Sequence, residues 1–189
     1  MDNKVSRSIF SCRALVVLKL ERRSFEEDFY TFDFPSLKSL HMIGGSFLGN
    51  RCLVKLLNGC PILKDLKVLH VHFASTSFEG ESISLPKLMS ANISVMYEDN
   101  DNIPLEALSN VDFLHLNQFI SNKVHVVSNL TCLVIKYPSW SFVLDMLKNC
   151  PKLQSLLVVE YPEIFLDEDV CYPDVVPDCP SCTTYAFYY

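Results

Sequence analysis

Three groups of side chains in this sequence have chemistry that could amount to more than scaffold. Cys60 and Cys150 each precede a proline, and five histidines elsewhere could supply a base to a thiol nucleophile. His70 and His72 fall on one face of an alternating strand, as a metal-binding pair would. Cys171, Cys179 and Cys182 include one C-x-x-C near the C-terminus. Each group fails a physical test. A thiolate is favoured at a helix N-terminus or beside a cation, whereas Cys60 and Cys150 lie just past predicted helix C-termini, where the dipole disfavours negative charge. Zinc takes three or four protein ligands, and neither the histidine pair nor the tail cysteines have a further ligand at motif spacing. Asp99 and Asp101 begin like a calcium loop, but Ile103-Pro104 stands where the glycine and later ligands belong. The run Glu26-Glu27-Asp28 reads as a solvated loop. No catalytic, cofactor or metal site is therefore expected, and function falls to a surface.

The elements that build this surface must come from one ordinary domain or a short repeat array, because the chain has 189 residues. Its 49% hydrophobic and 20% charged content supplies a core. No apolar run nears the roughly 18 residues of a spanning helix. The start, Met1-Asp-Asn-Lys-Val-Ser-Arg, does not read as a secretory signal. An intracellular place, nucleus or cytoplasm, is expected, with no membrane partner and the eight cysteines reduced and mostly buried. The net charge of −6 sits at one end. After Lys152 there are seven acids and no Lys or Arg, so the remaining 15 acids and 16 bases leave the body at +1. A body this close to neutral lacks the basic stripe that nucleic acid requires. The five glycines form neither a phosphate loop nor a dinucleotide fingerprint.

A pattern of the form L-x-x-L-x-L recurs seven times. The copies are Leu15/Leu18/Leu20, Leu37/Leu40/Met42, Leu63/Leu66/Val68, Leu88/Ala91/Ile93, Val111/Leu114/Leu116, Leu130/Leu133/Ile135 and Leu153/Leu156/Val158. First anchors are 22, 26, 25, 23, 19 and 23 residues apart, close to the period of roughly 20–29 that marks leucine-rich repeats. The last two anchors share one strand face, and the first packs beneath the strand. The predicted fold is an α/β leucine-rich-repeat solenoid, a right-handed superhelix of about seven irregular repeats with short parallel strands. Helical spacing predicts helices over 47–58 and 141–148, ended by Asn58-Gly59-Cys60-Pro61 and Asn149-Cys150-Pro151. The other connections read as irregular. One register stays open, since Leu66/Leu69/Val71 fits as well as Leu63/Leu66/Val68. The array should occupy 1–160, with an acidic, Pro- and Cys-containing tail at 161–189. With few residues before the first repeat, Leu15, Val16 and Leu18 are expected close to solvent.

Residues between the anchors face the concave side. In the first four repeats these are mostly polar: Lys19, Ser39, His41, Asp65, Lys67, Ser90 and Asn92. The last three repeats present a more apolar cluster, Phe113, His115, Cys132, Val134 and Leu157, which is the candidate site for a protein partner. Loops or the tail covering this cluster is the alternative.

The segments Ser8 to Leu20, Phe34-Pro-Ser-Leu-Lys-Ser-Leu-His41, Leu56-Leu-Asn-Gly-Cys-Pro-Ile-Leu-Lys-Asp-Leu66 and Leu147-Lys-Asn-Cys-Pro-Lys-Leu-Gln-Ser-Leu156 resemble the plant F-box/FBD/leucine-rich-repeat proteins. The resemblance covers about Ser8 to Asp178 and implies the substrate-recognition part of a Skp–cullin–F-box ubiquitin ligase. Val176-Pro-Asp-Cys179 resembles the opening of an FBD region. The resemblance is read as starting inside the first repeat, without the family's F-box that docks the Skp-type adaptor, and as stopping within the opening of the FBD region. The expectation is a truncated member that does not dock the adaptor. A stand-alone interaction protein, a non-functional relative, or a Cys/His metal protein or enzyme are the alternatives.

Overall fold

The computed structural model describes residues 10, 12–25, 31–47, 50–73, 82–95, 105–117, 126–136, 138–159 and 186–188. Cys171, Cys179, Cys182, Asp99, Asp101, the 26–28 run and the tail over 161–185 lie outside the described residues.

Eight strands form one sheet in sequence order, every neighbouring pair parallel. They are β1 (Val17–Phe25), β2 (Ser39–Phe47), β3 (Asp65–Phe73), β4 (Ser90–Val95), β5 (Phe113–Asn117), β6 (Cys132–Lys136), β7 (Ser155–Val159) and β8 (Ala186–Tyr188). Helix α1 (Asn50–Asn58) connects β2 to β3, helix α2 (Trp140–Asn149) connects β6 to β7, and a short 3-10 turn (Leu105–Leu108) precedes β5. Each crossover returns the chain to the start of the next parallel strand, which is how a leucine-rich-repeat solenoid is wound. β8 extends the sheet beyond the seven strands expected from the repeats.

All seven anchor triplets fall in register. Leu18, Leu40, Leu66, Ala91, Leu114, Leu133 and Leu156 align across the sheet, and Leu20, Met42, Val68, Ile93, Leu116, Ile135 and Val158 align two residues on. These fourteen side chains are at most 8% exposed. Burying an aliphatic side chain of this size contributes roughly 1.5–3 kcal/mol, so the double row is the main cohesive feature of the array.

Backbone bonding repeats with the same period. The first anchor of each copy donates its N–H to the carbonyl three residues earlier, as in Leu37 to Phe34 (3.1 Å) and Leu63 to Cys60 (3.1 Å). One carbonyl of each repeat then accepts two N–H groups from the next repeat: Lys64 and Asp65 both donate to the Lys38 oxygen at 2.9 and 3.0 Å. The series runs Val16, Lys38, Lys64, Met89, Asp112, Thr131. A carbonyl has two lone pairs, so this stitching satisfies the chain as it turns into each strand.

The first three strands are longer, and a left-handed residue interrupts each. Arg22 (φ 50°), Gly44 (φ 65°) and His70 (φ 52°) lie opposite one another in β1, β2 and β3. An interruption of this kind reverses the in–out alternation. The next buried side chain after Leu20 is Phe25, and after Met42 it is Phe47. The two rings stack at 4.6 Å and 5°. The same kink resolves the open register: Leu63/Leu66/Val68 is the aligned triplet, and Val71 is buried because parity changes at His70. His70 and His72 are therefore not a simple alternating pair. Both are exposed.

α1 and α2 bury the residues expected of them, with Cys52, Leu53, Leu56 and Leu57 at 0–2% exposure and Phe142, Val143 and Met146 at 0–4%. Two expectations need correction. The predicted start at 47 is moved to Asn50 because Phe47 ends β2. Leu144 and Leu147 of α2 are 54% and 44% exposed. Ser139 caps α2 by accepting from the Phe142 N–H at 3.3 Å. Gly59 closes α1 for a steric reason, since a Cβ there would lie 2.6 Å from the Phe32 carbonyl oxygen. At the N-terminal end Val16 is 44% exposed as expected, but Leu18 is only 7% exposed. Phe10, Phe25 and Phe32 cluster there, with Phe10 edge-on to Phe32 at 4.9 Å.

Candidate protein-binding face

The sheet has one face packed on the crossovers and one face free of them among the described residues. On this second, concave face, register sets side chains into three rows. The first runs Val17, Ser39, Asp65, Ser90, Phe113, Cys132, Ser155. The second runs Lys19, His41, Lys67, Asn92, His115, Val134, Leu157. A third row, Glu21, Ile43, Leu69, Ser94, Asn117, Lys136, Val159, was not anticipated, because the repeat template marks only the two anchors nearest each strand start. Strand length beyond the template is what adds it.

The five predicted site residues do converge on neighbouring strands, but they are not equally accessible. Phe113, Cys132 and Leu157 are half-buried. His115 and Val134 are each 6% exposed, which corrects their placement as surface groups. Val134 sits between His115 and Leu157 across the sheet, and strands only about 4.8 Å apart leave its side chain little open surface.

The polar half of the face holds a Ser–His–Asp cluster. Ser39 Oγ donates to Asp65 Oδ2 at 2.8 Å, and His41 Nε2 lies 3.0 Å from Ser39 Oγ and 2.6 Å from the same carboxylate oxygen. A hydrolytic relay needs the carboxylate on one ring nitrogen and the serine on the other. Here a single nitrogen meets both, and the hydroxyl proton points to the carboxylate. The cluster cross-links β2 and β3 and does not activate a nucleophile. Cys60 is fully buried, its Sγ–H donates to the Leu56 carbonyl at 3.1 Å, and burial pushes its pKa up to about 12. Burial also raises Cys150. Both thiols are packed side chains. No group of three or more metal-ligating side chains occurs among the described residues. Nor is any helix among them long and apolar enough to cross a membrane.

The middle of the face carries an electrostatic cost. Asn92 Oδ1, Ser94 Oγ, both ring nitrogens of His115 and Asn117 Oδ1 are buried without a hydrogen-bond partner. Each such group costs about 1–3 kcal/mol in lost hydration. His115 has its pKa lowered to about 4, first by burial and then by the nearby Lys136 and Lys67, so its ring is neutral at neutral pH.

Residues 1–136 match the family described as FBD-associated F-box protein At5g56370, LRR repeats. The F-box/FBD/LRR-repeat protein At5g56420 of Arabidopsis thaliana is 24% identical over 204 residues, covering 81% of this chain and 48% of that protein. The FBD-associated F-box protein At5g38590 of the same plant is 32% identical over 94 residues, covering 50% of this chain and 22% of that protein. The chain thus spans half the length of such relatives or less. No solved structure matches. Leucine-rich-repeat regions of this kind are protein-interaction modules. The seven in-register triplets and the match over residues 1–136 lead to one assignment: the chain belongs to the leucine-rich-repeat family of the plant FBD-associated F-box proteins.

Proposed function

We propose that this chain is a non-enzymatic recognition module that binds a protein partner on the concave face of β5, β6 and β7, in the nucleus or cytoplasm. By its family it would present substrates to a Skp–cullin–F-box ubiquitin ligase. One observation carries the reading. Register gathers Phe113, Cys132 and Leu157 into a half-buried apolar patch around the Val134 floor, bordered by the polar rows of β2 to β4. An aromatic beside aliphatic groups, ringed by polar residues, is the composition of a binding hot spot.

A second surface is favoured by a separate observation. Trp140, Leu144 and Leu147 of α2 are 53%, 54% and 44% exposed and lie along one side of the helix. Affinity enrichment from plant cells with quantitative mass spectrometry distinguishes the two. Leu157→Glu should remove the captured partners, and Leu144→Glu should leave them, both variants being checked for native circular dichroism. Partners lost with Leu144→Glu alone would move the interface to the helices.

A further inference from the structure

The five buried polar atoms left without a partner among the described residues form a compact block rather than a scatter. Asn92 and Ser94 belong to β4, His115 and Asn117 to β5, and register sets Asn92 beside His115 and Ser94 beside Asn117. Lys67 of β3 is the next residue across from Asn92, and Lys136 of β6 is the next across from Asn117. The block therefore has a cation on each side, at diagonal corners. Ser94 and His115 are 2% and 6% exposed.

The hydrogen-bonding pattern restricts what fits. A neutral imidazole holds one donor and one acceptor, and the serine hydroxyl can act as either. The asparagine oxygens add acceptors, and turning either amide over leaves the set mixed. An ion made only of acceptors, such as sulfate, would face the asparagine oxygens with no proton to share. A peptide backbone alternates N–H and C=O and matches a mixed set. The two lysines then call for an acidic side chain on that peptide, and the half-buried Phe113 and Leu157 nearby suit its apolar neighbours.

We infer that the β4–β5 block is the specificity centre of the concave face and takes an extended segment of the protein partner bearing an Asp or Glu between Lys67 and Lys136. This deepens the protein-binding reading and rests on it. The polar atoms are then fixed in advance by the strand register for the partner's backbone, and the lysines select its charge.

Phage-displayed random linear peptides selected on the full chain provide the probe, with affinities read by fluorescence anisotropy. Selected peptides should carry an Asp or Glu whose change to the amide weakens binding about tenfold, and the Lys67→Ala/Lys136→Ala double variant should weaken it similarly. Ser94→Ala supplies a second readout. Removing an orphan hydroxyl should raise the melting temperature by about 3 °C while weakening the peptide, a combination that a purely structural serine would not give. Peptides that ignore both the amide change and the lysine variant but are lost with Leu157→Glu would overturn the inference and leave the protein-binding reading intact. Peptides insensitive to Leu157→Glu as well would overturn both. Enrichment of no peptide, or tighter binding of a single-stranded oligonucleotide than of any acidic peptide, would also overturn the inference.

Discussion

Acidification should destabilise this protein through His115, and the size of the effect can be worked out. In the native sheet the ring is 6% exposed with neither nitrogen hydrogen-bonded, and burial with Lys136 of β6 and Lys67 of β3 lowers its pKa to about 4. In the unfolded chain it returns to 6.5. Across this interval the unfolded state binds more protons than the native state, so stability rises with pH. The contribution is fully present above the unfolded value and is lost as pH falls through 6.5 toward about 4. At about 1.36 kcal/mol per pKa unit, the wild type should lose roughly 2 kcal/mol between pH 7 and pH 5 from this residue alone. Urea titrations followed by circular dichroism at pH 7, 6 and 5 would measure it. So that every other effect of pH cancels, the quantity to read is the difference from His115→Leu, which removes the ionisable ring and two orphan nitrogens. The variant should be at least as stable as the wild type at pH 7 and should hold its stability better on acidification. Parallel pH dependence in the two proteins would refute the argument, because the ring would then be hydrated or paired in solution.

Three further outcomes follow from the packing. Gly45→Ala places a Cβ 2.0 Å from the Arg23 carbonyl oxygen at φ +101°, so it should cost about 3 kcal/mol or more, whereas Gly44→Ala meets nothing nearer than Arg22 Cγ at 3.5 Å and should cost about 1 kcal/mol for its left-handed backbone. Equal costs in denaturant titrations would show that the strands can shift apart. Leu114→Ala in mid-array should lose about 2–5 kcal/mol, and the end-repeat Leu18→Ala, whose side chain is 7% exposed, should lose less. Cys60 should resist alkylation in native protein at pH 8, while the exposed Cys12 reacts at once; comparable rates by mass spectrometry would contradict the burial of Cys60.

The repeat anchors were readable because each faces the same demand for burial, and the demand recurs with the crossover length. The two leucine-type rows align as their spacing indicates, even where Ala91 replaces a larger side chain. The kink across β1 to β3 was not readable. Two of its four positive-φ positions are Arg22 and His70, residue types that give no such signal, and only the Gly44-Gly45 pair hints at it. That hidden change of parity is why Leu69/Val71 imitated Leu66/Val68. At the candidate site, alternation put Phe113, His115, Cys132, Val134 and Leu157 on the face opposite the anchor rows. It could not show that close strand spacing buries His115 and Val134. Nor could it reveal the third row with Ser94, Asn117 and Lys136, because strand length is set by tertiary pairing.

The claim that partners dock on the concave side is tested most directly by photo-crosslinking in plant cells. A benzophenone side chain would replace Leu157 in one protein and Leu144 in another, since the first lies on the concave face and the second is exposed on α2. Irradiation should yield a discrete higher-mass adduct from position 157, suppressed by added acidic peptide, and only background from position 144. Adducts formed from position 144 and absent from position 157 would contradict the account.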